Sequence, residues 1–170
     1  VGGEAMEPTQ AVSAVTHDLD VVRMTVQDLP DVPGVAHRLF GALADAHVNV
    51  DMIVQTASRG GHADISFTVG RGDAVTAHEA VRRVAAELGA GQVDSQSDVA
   101  KVSIVGTGMV SRPGIAARMF GALAAEQINI QMISTSEIKI SCIVTAGEAT
   151  RAVRVLHAAF RLSDEADPPA

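Results

Sequence analysis

The sequence predicts an α+β protein built from two copies of one unit, each a four-stranded antiparallel sheet with two helices on one face. Residues 33–53 and 113–133 are identical at 12 of 21 positions at a constant offset of 80, and self-similarity at a fixed spacing marks a repeated unit. Within each copy, period-two apolar patterns flank a stretch of helical period. The chain of 170 residues is 47% hydrophobic and 19% charged. That is the composition of a folded protein, with length for one ordinary domain or two small ones.

The elements follow in order. Arg23–Leu29 places Met24 and Val26 on one face of a strand, as Lys101–Gly106 places Val102 and Ile104. Pro33-Gly34 and Pro113-Gly114 then open helices, since a helix start tolerates proline. Val35, Leu39, Phe40 and Leu43 form an apolar stripe, as do Ile115, Met119, Phe120 and Leu123, while Arg38, Asp45, Arg118 and Glu126 mark the wet side. Second strands are expected at Val50–Thr56 and Ile130–Thr135. Third strands alternate through Ile65, Phe67, Val69 and through Ile140, Cys142, Val144. A closing helix carries Val81, Val84, Ala85 and Leu88 in the first copy, with Asp73 as N-cap. In the second copy it carries Ala149, Ala152, Val153 and Leu156 behind a Thr145/Glu148 capping box. This order is the split βαβ of ferredoxin-like folds.

The copies differ at their ends. Gln92–Ser97 supplies a fourth strand to the first, whereas the second ends in Phe160-Arg-Leu and an acidic tail. Ala11–Thr16 is apolar and belongs to no element of the first copy. It is read as the missing edge strand of the second, so that one unit is inserted within the other; the alternative is an unpaired leader. The resulting division is 21–98 for the first domain and 99–162 for the second with residues 11–17 as its extra edge strand. Residues 1–10 and 163–170 are read as loose termini.

Composition narrows function. A formal charge of −7, aromatics at 2% and no Trp or Tyr disfavour nucleic-acid binding, which uses a basic footprint and stacking rings. One cysteine, Cys142, excludes an internal disulfide and a cysteine-cluster zinc site, in keeping with the cytoplasm. No apolar run reaches the ~18 residues of a membrane helix, and no leader pattern stands at Val1. The six histidines show no metal-ligand spacing. Gly106-Thr-Gly108 reads as an ordinary turn rather than a dinucleotide loop. Cys142, on an apolar strand, reads as core. Ser134-Thr-Ser-Glu137 is either a hairpin or a ligand-lining segment. No nucleophile or acid/base pair has convincing spacing, so no catalytic residue is expected.

The helix beginning at Gly34 offers unpaired amides and a positive dipole end, a receptor for a carboxylate. Asp31 stands before it, and Asn49, Asp51 and Gln55 lie on and after the next strand. A bound amino acid needs donors for its carboxylate, an acceptor for its ammonium and a group to read its side chain. The helix amides, Asp31 with Asn49–Asp51, and Gln55 fit those needs in that order. The same residue types also serve as ordinary turn caps. In the second copy Asp31, Asp51 and Gln55 become Ser111, Gln131 and Thr135, while Asn129 and Ile115-Ala116 are kept. Two identical sites are not expected; a composite site drawing on both kinds of unit is.

Asp31-Val-Pro-Gly34-Val-Ala36, Asn49–Gln55, Gly106-Thr-Gly-Met109, Arg112–Ala116, Asn129–Ile138 and Val155-Leu-His157 resemble the paired ACT domains of the regulatory region of bacterial aspartate kinases. The resemblance runs from Val12 to Leu162, with a shorter Arg59-Gly-Gly-His-Ala63 segment than is usual there. It implies a regulatory (beta) subunit without a kinase domain, binding threonine, with lysine in concert, for feedback inhibition of aspartate phosphorylation in the lysine, threonine and methionine pathway. It also implies a homodimer and a catalytic (alpha) subunit as partners. The effector would lie between the first unit of one chain and the second of its partner. Carried over, its contacts are Asp31, Pro33, Gly34, Val35, Ala36, Asn49, Val50, Asp51 and Gln55 from the first unit, with Ile115, Ala116, Asn129, Ile130, Ser136 and Glu137 from the second. No cofactor is expected. The alternatives are a stand-alone ACT sensor or a small subunit of another biosynthetic enzyme such as acetolactate synthase, the latter disfavoured by the repeat.

Overall fold

A computed structural model describes residues 12–107, 109 and 112–161. Gly108, Ser111, Ala11 and the two expected loose termini therefore lie outside the described residues. The chain divides into two compact units. The inserted unit runs from Leu19 to Val99; the flanking unit combines the residues up to Asp18 with those from Ala100 onward.

The inserted unit comprises β2 (Val22–Pro30), α1 (Val35–Asp45), β3 (Ile53–Gln55), β4 (His62–Val69), α2 (Ala74–Leu88) and β5 (Val93–Gln96), and the flanking unit's first strand β1 (Val12–Asp18) precedes them. Its sheet order is β3-β4-β2-β5 with antiparallel neighbours. Alternation puts Val22, Met24 and Val26 of β2 and Ile65, Phe67 and Val69 of β4 on the helix-covered face. Val35, Leu39 and Leu43 of α1 close over them with Ala77, Val81 and Ala85 of α2. Each fully buried Leu, Val, Met or Phe here contributes roughly 1.5–3 kcal/mol. Phe40 meets Phe67 edge-on at 5.5 Å between centroids. The other sheet face carries cross-strand polar pairs, Thr25–Ser66, Gln27–Asp94 and Arg23–Gln96.

The flanking unit continues with β6 (Val99–Gly106), α3 (Ile115–Ala125), β7 (Met132–Thr135), β8 (Lys139–Thr145) and α4 (Ala149–Ala159). Its sheet order is β1-β6-β8-β7. β1 pairs antiparallel with β6, setting Val15 against Ile104 and His17 against Val102, the place β5 takes beside β2. Val12, Val102, Ile104, Met119, Leu123, Cys142, Val144, Ala152 and Leu156 share one core.

Several local expectations are corrected. The second strands begin later, at Ile53 and Met132, although the residues just before them still bond to the neighbouring strand, as Gln131 N–H does to Ile143 O (2.8 Å). Val48 is buried, Asp51 N–H donates to Thr68 O (3.0 Å), and Met52 N–H donates to the buried Thr68 hydroxyl (3.0 Å). Pro33 and Pro113 stand in the turn ahead of each helix, not inside it. The N-cap is a left-handed glycine, Gly34 (φ 93°) or Gly114 (φ 97°), and the helices start at Val35 and Ile115. Asp73 occupies the N-cap of α2 but its side chain caps nothing, because a 3-10 turn, Arg71–Asp73, leads into the helix. The Thr145/Glu148 box is likewise not formed. Ala146–Glu148 is a 3-10 turn, and Glu148 turns instead to Arg151. No helix of the described residues is long and apolar enough to cross a membrane.

Candidate functional site

β2 ends at Pro30, which has no N–H to continue the ladder. Asp31 N–H then donates to Gly61 O (2.8 Å), pinning this loop to the β3–β4 hairpin. Gly34 adopts a left-handed conformation that a β-carbon disfavours, and the chain turns sharply into α1. Val35 N–H reaches Val32 O (3.4 Å) and Arg38 N–H reaches Gly34 O (3.0 Å). Between them, the amides of Ala36 and His37 sit at helix positions with no intrahelical carbonyl, and no side chain caps this end.

Residues Leu29–Ala36, together with Gln55 at the end of β3 and Ala63 and Ile65 on β4, line a cleft of about 200 Å³. At about 30 Å³ per water-sized group, that is the scale of a small amino acid. One wall offers backbone amides at a positive helix end, the rim carries the exposed Asp31 carboxylate, and Gln55 is the one side-chain amide among the lining residues. The floor is apolar.

Of the residues the sequence singled out, Asp31, Pro33, Gly34, Val35, Ala36 and Gln55 line this cleft. Asn49, Val50 and Asp51 do not; they lie in the α1–β3 loop, where Val50 packs against the core. Ile115 and Ala116 begin α3 behind a second left-handed glycine, and Asn129 and Ile130 occupy the α3–β7 loop. Ser136 and Glu137 belong to the β7–β8 turn: Ser136 N–H donates to Lys139 O (2.7 Å) and Ile138 N–H to Ser136 Oγ (3.4 Å). The Ser134–Glu137 run is thus a strand end and its hairpin.

Sequence reasoning missed Leu29, Pro30, Ala63 and Ile65 as lining residues. The signal for Ala63 and Ile65 lies in strand register: they pair with Leu29 and Val26 across the ladder. A β-bulge between those pairs holds Asp28 at φ 61°. A second, larger cleft of about 480 Å³ lies there, lined by Asp28, Thr56–Arg59 and His62–Asp64. Two of its polar side chains hold the bulge: Asp28 N–H donates to Asp64 Oδ1 (2.9 Å) and Asp64 N–H to Thr56 Oγ1 (2.9 Å). Cys142 is fully buried, and burial pushes its thiol up to about 12, as befits a core residue rather than a nucleophile. Among the described residues no His/Cys/Asp/Glu group could hold a metal ion.

The ACT-domain family model matches twice, over residues 27–84 and 102–160. The aspartokinase of Pseudomonas aeruginosa is 46% identical over 159 residues, covering 94% of this chain, and that of Helicobacter pylori is 44% identical over 160 residues. The chain spans 38% and 39% of the length of these two relatives. Among solved structures, the ligand-free regulatory subunit of aspartate kinase from Thermus thermophilus superposes with a TM-score of 0.85 at 42% identity, over 89% of this chain and 99% of that one. A chain from a structure of aspartokinase alpha and beta subunits gives 0.84 at 47% identity, over 89% of this chain and 100% of that one.

Proposed function

Because the chain belongs to the ACT-domain family and corresponds to the regulatory part of aspartate kinases, we propose that it senses an end-product amino acid, threonine, and restrains a kinase acting on aspartate. The observation that carries this reading is the cleft at the opening of α1. It sets uncapped helix amides, a carboxylate and a single side-chain amide around a volume of about 200 Å³.

In this reading the threonine carboxylate sits on the amides of Ala36 and His37, where the helix dipole favours an anion. Asp31 receives the ammonium, and Gln55 reads the hydroxyl. Ile115, Ala116, Asn129, Ile130, Ser136 and Glu137, from the second unit of a partner copy, close the open side, so that the binding form is a homodimer. Lysine acts in concert with threonine. The catalytic partner is a kinase subunit or domain, and regulation works through differential affinity for its states, with a coupling of about 1–3 kcal/mol.

Titration calorimetry and thermal unfolding with threonine, lysine, isoleucine and valine test the proposal. Threonine is expected to bind and raise the unfolding temperature. A chain indifferent to threonine but stabilised by valine contradicts it and favours a subunit of another amino-acid pathway.

A further inference from the structure

The chain passes between its two units twice, at Asp18–Leu19 and at Val99–Ala100, and one side chain holds both passages. Arg71 Nε donates to Leu19 O (2.7 Å) and its Nη2 donates to Ser97 O (2.7 Å). Its main-chain N–H donates to Asp20 Oδ1 (2.8 Å). Arg71 opens the 3-10 turn that runs into α2, whose own N-cap side chain, Asp73, caps nothing. Asp20, from the incoming segment, thus receives the first amide of the turn that runs into α2.

The far end of α2 is tied to the cleft helix. Glu87 pairs with Arg38, which lies one turn into α1 from Gly34. A helix of 15 residues thus has the effector cleft's helix at its end and both interunit segments at its start. In the flanking unit the matching 3-10 turn begins with Ala146, whose side chain cannot make such bonds. A planar guanidinium can grip two carbonyls at once where an ammonium presents a single point of charge, and bonds from a charged donor are the stronger kind.

We propose that Arg71 is a positioning residue that pins both interunit segments to the start of α2, so that a shift of α1 on effector binding reaches the two segments together. The pin stands on the structure alone; its response to effector rests on the function proposed above.

The test is amide hydrogen exchange on the intact chain, comparing wild type with Arg71→Lys and Arg71→Met, without and with threonine. Without ligand, Arg71→Met is expected to speed exchange about tenfold in both segments, residues 19–22 and 97–100, while β4 stays protected. Arg71→Lys falls between, since it keeps the charge and loses the fork. Wild-type exchange in both segments of Arg71→Met overturns the pin, as does loss of protection in one segment alone.

With threonine, wild type is expected to change exchange in both segments. Arg71→Met is expected to bind threonine within about twofold of wild type, as distant sites do, yet lose that response. A response that survives in Arg71→Met overturns the coupling. Failure of threonine to bind wild type sinks the functional reading, and the ligand-free comparison still decides the pin.

Discussion

At the scale of single residues, a few side chains in contrasting surroundings set what the molecule can bind and how it responds to change. Asp31 and Gln55 line the cleft and carry no core packing. Asp31→Ala or Gln55→Ala should weaken threonine binding by about 1–3 kcal/mol with little change in the melting temperature, measured by calorimetry. Unchanged affinity in both removes the site. Gly34 is different: a β-carbon there meets no neighbour, but φ is 93°. Gly34→Ala should cost about 1 kcal/mol or somewhat more in urea unfolding through backbone strain. Cys142 gives the pH prediction. Burial raises the folded thiol from 9.0 to about 12, so between those values the unfolded chain binds fewer protons than the folded one. Stability from this group is whole below pH 9 and falls by about 1.4 kcal/mol per pH unit as pH climbs toward 12. Urea unfolding at pH 8 and pH 10 should show a steeper loss for wild type than for Cys142→Ala. At this scale the sequence was partly legible. The amino-acid-binding residue types stood out, but Asn49 and Asp51 lie away from the cleft, and the capping roles of Asp73 and Thr145 failed because 3-10 turns intervene.

At the scale of elements, hydrophobic period decided which strands and helices exist, because each has one face in a core and one outside. Ile65, Phe67 and Val69 could alternate only as a strand with its inner face buried. Boundaries were less legible: the late start of β3 depends on the Thr68 hydroxyl taking the Met52 amide, a contact from sixteen residues away that no local pattern encodes. The incoming strand β1 was readable because the second copy lacked a fourth strand and an apolar segment stood unused. Removing the residues before Leu19 would expose the outer edge of β6 and the core beneath Val12 and Val15. That truncation should lower the stability of the flanking unit by about 3 kcal/mol or more. Exchange should accelerate in β6 and β8 and leave β2 and β4 unchanged.

At the scale of the molecule, the repeat made the two-unit organisation legible, and strand pairing shows how the chain carries it out, with residues from Leu19 to Val99 forming a complete sheet-and-helix unit of their own. An isolated Leu19–Val99 fragment is therefore expected to unfold cooperatively in urea, since Met24, Leu39, Leu43, Phe67 and Val81 are buried within it. The homodimer partner proposed to close the cleft entered through the family resemblance alone, because a single chain encodes contacts to another copy only as exposed residues. The opening of α1 is proposed to grip a free amino acid. Titrating the chain with threonine in a calorimeter, beside Gln55→Ala, measures it most directly. Saturable threonine binding by wild type, at least several-fold weaker in the variant, is the predicted result; no heat with wild type, or equal affinity in both, would contradict it.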